Sequence, residues 1–177
     1  GPMMFNDRIE AGRLLAAALG RYRGARPLVL AIPRGAVPMG RVIAGALEGQ
    51  LDVVLVRKLA VPGNPEYALG SVDEQGWTYI ADYARDTGAT PAYLEGEIAA
   101  QLATMRARRA LYTPERAPID PAGRIVIVVD DGLATGATMV AAVATMKRAG
   151  AERVIVAVPT GSSEACARLA EVADEVV

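Results

Sequence analysis

Residues 126–138, Val-Ile-Val-Val-Asp-Asp-Gly-Leu-Ala-Thr-Gly-Ala-Thr, hold the densest group of residues able to do chemistry. Four β-branched residues predict a buried strand, and it ends on two adjacent carboxylates, Asp130 and Asp131. A short loop of small residues follows, and an apolar-periodic helix is expected to begin at Thr138. A strand, a Gly-rich turn and a helix N-terminus together aim unpaired backbone N–H groups and the positive end of a helix dipole at one point, which suits a phosphate. Carboxylates would repel a bare phosphate, so the two acids need another partner. Vicinal hydroxyls donate to carboxylates, and the stretch therefore predicts a sugar phosphate, with phosphate in the loop and diol on the acids. No Lys follows the second Gly, which separates the pattern from a Walker A loop.

Two further turns carry unusual residues. Ile32-Pro33-Arg34-Gly35-Ala36 joins a guanidinium to a Gly that lets backbone approach closely, ahead of a helix N-terminus. Arg57-Lys58 is expected just after a strand. Lys is scarce, with Lys58 and Lys147 standing against seventeen Arg, so a Lys at a strand end points to a flexible point charge. Glu66, Asp73 and Glu74 are expected to be solvated, with metal assistance the alternative. Tyr67, Trp77 and Tyr79 are expected to pack rather than to stack on a base.

What is missing narrows the chemistry. The chain has no His, which excludes Ser-His and Cys-His catalysis and any His-ligated metal. A metal here should be a hard cation held by oxygen, with Mg²⁺ the first candidate. The single Cys166 cannot form an internal disulfide; it is read as a buried small hydrophobe and fits a reducing, cytoplasmic setting. A net charge of −1 gives no footprint for nucleic acid, and no apolar run approaches the roughly 18 residues of a membrane span.

The elements that must position these residues follow from periodicity. Residues 7–22 predict an amphipathic helix with Ile9, Leu14, Leu15, Ala18 and Leu19 near one face. Strands are expected over 28–32, 52–56, 124–130 and 153–158, and helices over 38–47 and 138–149, the last stopped by Gly150. Strands alternating with helices predict an α/β fold, a doubly wound, mainly parallel sheet flanked by helices, with ligands outside the carboxyl ends of the strands. Residues 59–76 read as a flexible loop that excludes water when closed. Residues 70–72 and 77–81 are expected to pair as a hairpin. A helix is expected from Thr90-Pro91 to about Tyr112, with Thr90 as N-cap and Arg106, Arg108 and Arg109 on a solvated face. Gly1-Pro2 reads as a protease-cleavage remnant, and residues 4–177 as a single domain with an inserted hairpin and helix over 77–112.

The signature at 126–138 resembles the phosphoribosyl-pyrophosphate (PRPP) motif of type I phosphoribosyltransferases. Phe5-Asn6-Asp7-Arg8, Ile32-Pro33-Arg34-Gly35, Val56-Arg57-Lys58 and Leu69-Gly70-Ser71-Val72 resemble a bacterial subgroup of that family. The resemblance implies a Mg²⁺-dependent transfer of phosphoribosyl from PRPP to a nucleobase or related nitrogen heterocycle, with release of pyrophosphate. It implies that Asp130 and Asp131 hold the ribose hydroxyls and, directly or through water, the metal. Gly132, Leu133, Ala134, Thr135, Gly136, Ala137 and Thr138 would cradle the 5-phosphate. Arg34 and Gly35 would form a pyrophosphate loop in which a strained peptide turns an N–H toward the diphosphate, and Arg57 and Lys58 would open a catalytic loop. Subgroup members usually carry a C-terminal aromatic-rich tail that would form a hood over the acceptor; the chain to Val177 is expected to lack it. A homodimer is compatible with this reading. A PRPP- or nucleotide-sensing domain without turnover is the alternative, and a phosphatase or kinase is disfavoured by the lack of a Walker Lys and of a nucleophile.

Overall fold

The computed structural model describes residues 5–132, 136–161 and 163–177. The chain forms two compact units, one from the residues up to Val54 together with Pro118–Val177, the other from Leu55–Ala117.

The first unit opens with helix α1 (Phe5–Ala18), followed by a 3₁₀ turn over Gly20–Tyr22, strand β1 (Leu28–Ala31), helix α2 (Val37–Ala46) and strand β2 (Gln50–Val53). The chain then builds the second unit from strands β3 (Val56–Val61), β4 (Asn64–Asp73) and β5 (Thr78–Ile80), a 3₁₀ segment over Asp82–Thr87 and helix α3 (Pro91–Tyr112). It returns to the first unit with β6 (Ile125–Val129), α4 (Ala137–Arg148), β7 (Arg153–Ala157), α5 (Ser163–Val172) and β8 (Glu175–Val176).

The five strands of the first unit lie in the order β2-β1-β6-β7-β8, and every pair is parallel. β1, β6 and, after Arg153, β7 read as unbroken apolar runs because both faces of such a sheet are covered. On one face Val29, Ala31, Ile127, Val129, Ile155 and Ala157 pack with Leu15, Leu19, Met39, Ile43 and Leu47 of the α1–α2 layer. α4 packs on β6 and β7 and against α5, burying Met139, Val143 and Leu169. The α/β doubly wound fold is as the sequence implies. Of the face expected for the N-terminal helix, Leu15 and Leu19 are buried, the latter just past the end of α1, together with Ala11 and Ala16, whereas Leu14 is 66% exposed and Ala18 is exposed.

In the second unit β3 pairs antiparallel with β4, and β4 with β5, where Ser71 faces Tyr79. The hairpin expected at 70–72 and 77–81 is present, and the Asp73 carboxylate stabilises its turn by accepting from the N–H groups of Gln75 and Trp77. The loop expected over 59–76 is largely strand. Pro62 and Gly63, the latter at φ 70°, are the turn of a hairpin, and Pro followed by a positive-φ Gly is a type II turn rather than a general breaker. α3 begins as expected: the Thr90 hydroxyl accepts from the Tyr93 N–H at 3.1 Å. Met105 of α3 is buried, as are Leu59, Leu69 and Val72.

Candidate functional site

The winding of the first unit reverses between β1 and β6: β1 runs on to β2 at one side, and β6 to β7 at the other. Ligands of open α/β sheets bind at such a switch point, beyond the carboxyl ends of the strands. The strands end level, with Ala31 beside Val129, and the Ile32 N–H donates to the Val129 carbonyl at 2.9 Å. The two segments singled out in the sequence, beginning at Ile32 and at Asp130, therefore leave the same edge side by side. The peptide between Pro33 and Arg34 is cis.

Each turn feeds a helix whose cap residue has no polar side chain. Ala36 caps α2, and Gly136, at φ 80°, caps α4. Helices usually fill this position with Ser, Thr, Asp or Asn, which satisfy one of the free N–H groups. Neither cap side chain takes a helix N–H here; at α2 the Val37 N–H donates instead to the Arg34 carbonyl at 3.2 Å and Pro38 has no N–H to give, while the left-handed φ of Gly136 explains why a Gly is needed at the start of α4. The expected cap at Thr138 is corrected: α4 starts at Ala137, and Thr138 sits exposed in its first turn. Leu133, Ala134 and Thr135 lie outside the described residues.

The two acids are not equivalent. Asp130 turns back on its own chain, accepting from the Asp131 N–H at 2.8 Å. Asp131 reaches across to the other turn. A Cβ added to Gly35 would stand 2.1 Å from Asp131 Oδ2 and 2.8 Å from its carboxyl carbon, so only Gly lets the 32–36 turn lie against this carboxylate. Arg8 Nη2, from the first turn of α1, donates to the same Oδ2 at 3.3 Å. Arg34 is exposed.

Arg8 has no role legible in the sequence, and stability does not account for it. An ion pair with side chains 21% and 29% exposed contributes about 0–1 kcal/mol. Its Nε is buried without a hydrogen-bond partner among the described residues, and an unmet buried donor costs about 1–3 kcal/mol. A cation in a first helical turn also opposes the helix dipole.

Burial pushes the Asp130 carboxyl up to about 6, with the neighbouring Asp131 charge adding to the rise and the Asp131 N–H opposing it. A carboxyl raised on folding stabilises the folded state while protonated, and that contribution is lost as pH climbs through the folded value. Ligand-free protein should therefore lose stability relative to Asp130→Asn between pH 5 and 7.5, by about 1 kcal/mol after allowance for solvent screening. Paired thermal melts across that range check it. A constant difference in melting temperature would mean that Asp130 titrates normally.

A family model described as a phosphoribosyl transferase domain matches residues 6–174. The chain belongs to this family. Two Mycobacterium tuberculosis proteins, from strains CDC 1551 and H37Rv and named only provisionally as phosphoribosyl transferases, are each 41% identical over 175 residues, 98% of this chain. The chain spans about 40% of the length of these relatives. The crystal structure of TT1426 from Thermus thermophilus superposes with a TM-score of 0.83 at 46% identity, over 98% of this chain and 83% of that one. A purine phosphoribosyltransferase from Pyrococcus horikoshii Ot3 shares the fold, with a TM-score of 0.57 at 16% identity over 99% of this chain and 84% of the other.

The structure treats Arg57 and Lys58 differently from the sequence pattern, which puts them in a turn after a parallel strand. Both lie inside β3, in antiparallel register with Val72 and Ser71. Successive strand residues face opposite ways, so the two cations do not point together. Arg57 Nε donates to Gln101 Oε1 of α3 at 2.9 Å, and the Gln101 amide continues to Glu97 at 2.7 Å. Lys58 is exposed, and its Nζ donates to the Glu66 carbonyl at 3.4 Å.

Other expectations in this phosphoribosyltransferase-family chain also change. Glu74 is not a solvated acid, nor Arg109 a solvated base: the guanidinium grips both carboxylate oxygens at 2.6 and 3.0 Å, with the arginine side chain 11% exposed. Tyr67, Trp77 and Tyr79 are largely exposed instead of packed. Cys166 is half-buried; with Val158, Thr160, Ser163, Ala170 and Val177 it lines an open cleft of about 860 Å³ beside α5. Thr160 stands at the start of that cleft, with its Oγ1 3.5 Å from where a Gly132 Cβ would lie. The turn after β7 therefore belongs to the same sheet edge.

The described residues contain no group of three or more acidic or thiol ligands that would hold a metal by themselves. Two adjacent carboxylates still fit Mg²⁺, which keeps several waters and is commonly held by one or two carboxylates plus substrate phosphates. Such an ion would arrive with the diphosphate rather than in a protein cage.

Proposed function

We propose that the chain is a Mg²⁺-dependent phosphoribosyltransferase domain that binds PRPP and transfers its phosphoribosyl group to a nucleobase or related nitrogen heterocycle. The bond from ribose C1 to the diphosphate oxygen breaks, a C1–N bond to the acceptor forms, and the acceptor nitrogen loses its proton as pyrophosphate departs. Bound Mg²⁺ would supply neutralisation of the diphosphate charge. The chain's own part is positioning and electrostatics: donors at the α4 N-terminus take the 5-phosphate, Asp130 and Asp131 take the ribose hydroxyls, and the Arg34–Gly35 turn faces the leaving group. The observation that carries this reading is the contact of Gly35 with the Asp131 carboxylate, because it joins the expected diphosphate turn to the expected ribose acids at the switch point.

A second reading, a PRPP or nucleotide sensor without turnover, draws on a different observation. Arg57 is tied to α3 and faces away from Lys58, so the chain offers fewer cations poised together for a leaving group than the family pattern implies. The two readings share ligand binding and part at turnover. PRPP with Mg²⁺ should bind and raise the melting temperature, since a ligand of the folded state stabilises by about 2.7 kcal/mol at a hundred times its dissociation constant. Pyrophosphate release is then screened with purine, pyrimidine and pyridine acceptors. Release with one acceptor class supports the transferase, and binding without release supports the sensor. No PRPP binding at millimolar ligand would remove both. With the lone Cys166 reduced, the cytoplasm is the compartment this chemistry fits.

A further inference from the structure

We propose that Arg8 is a positioning residue of this site, a cation brought in by the N-terminal helix to hold the Asp131 carboxylate against the Gly35 turn and to balance its charge where a polyphosphate binds. The inference rests on the PRPP reading given above.

Three observations meet at this residue. Arg8 Nη2 lies 3.3 Å from Asp131 Oδ2 across a separation of 123 residues, and 3.4 Å from where a Gly35 Cβ would stand. Helix, diphosphate turn and acidic pair thus converge on one guanidinium. The placement is locally unfavourable, as a cation in a first helical turn whose buried Nε has no hydrogen-bond partner among the described residues. Nor is Arg8 needed to dock α1, which Ala11, Leu15, Ala16 and Leu19 already bury against the core.

Electrostatics supplies the reason for a cation here. Two neighbouring carboxylates raise a negative potential where the ligand carries its highest negative charge. A guanidinium on Asp131 offsets one of those two charges. It also fixes one rotamer of Asp131, so that little side-chain ordering is left for the ligand to impose.

The test is a double-mutant cycle read in PRPP affinity by calorimetry with Mg²⁺ present, using Arg8→Gln, Asp131→Asn and the pair, with Arg8→Lys as the conservative variant. Arg8→Gln should weaken PRPP about tenfold, Arg8→Lys should recover part of that loss, and the double variant should be less weakened than the two single losses combined. Sulfate binding and the ligand-free melting temperature should hardly change, which a merely structural role would not allow. Unchanged PRPP affinity in Arg8→Gln would overturn the proposal, as would additive losses in the cycle or a parallel fall in sulfate binding and melting temperature. Failure of the unmodified chain to bind PRPP would instead overturn the function reading, and this inference with it.

Discussion

Replacing both acids, Asp130→Asn with Asp131→Asn, should weaken PRPP at least a hundredfold while leaving sulfate or inorganic phosphate bound as well as before, or slightly better. The two ligands part because they ask opposite things of the site. A ribose diol donates to carboxylates, and a hydrogen bond to a charged group is worth roughly 1.5–3 kcal/mol. Loss of two such acceptors together corresponds to about a hundredfold or more. A bare phosphate gains nothing from the acids and is repelled by them, so neutral amides remove a penalty. Asparagine keeps the side-chain oxygen that accepts the Asp131 N–H at 2.8 Å, and the start of the loop should keep its shape. Calorimetric titration of each ligand decides the matter. Equal loss of both would show that the 130–138 segment had collapsed, and equal retention of both would remove the acids from the ribose subsite.

Much of this architecture is legible in the chain because it depends on local signals. Residues 28–31, 125–129 and 154–157 announce buried parallel strands by unbroken apolar runs, and Thr90-Pro91 announces the start of α3 by cap chemistry. Order along the chain then puts the Gly35 and Asp131 turns at adjacent strand ends. The failures have physical causes of their own. Thr138 is a better cap by side-chain chemistry than Gly136, yet the backbone needs φ 80° there, and Gly adopts that conformation without strain. Pro62-Gly63 carries the residues of a breaker and of a tight hairpin turn alike, and only the partner strand decides between them. Once β3 extends through Arg57 and Lys58, strand alternation separates a dipeptide that reads as a pair in one dimension. Arg8 stands in the Phe5-Asn6-Asp7-Arg8 motif, but nothing local gives it a role. Its partner lies 123 residues away, and nothing in the helical pattern of α1 asks for a cation in that turn.

Gly35→Ala should cost PRPP affinity about tenfold or more while barely changing the melting temperature. The added Cβ would sit 2.1 Å from Asp131 Oδ2 and 2.8 Å from its carboxyl carbon, well inside van der Waals contact, so the carboxylate must swing out or the turn must open. The cost to the fold is small, because Asp131 is a partly exposed side chain that can change rotamer, at roughly 0.5–1.5 kcal/mol for an off-rotamer setting. Backbone strain does not enter, since Gly35 is not among the glycines at positive φ. The cost to the site is larger, since a carboxylate displaced by an ångström or two loses its Arg8 partner and its alignment with the diol at once. Gly35→Val adds two methyls at the same point and should weaken binding further. Affinity and melting temperature measured on one preparation separate these effects. If Gly35→Ala binds PRPP as tightly as the unmodified chain, the Gly35 turn and Asp131 do not form one pocket, and the observation on which the proposed function stands would lose its meaning.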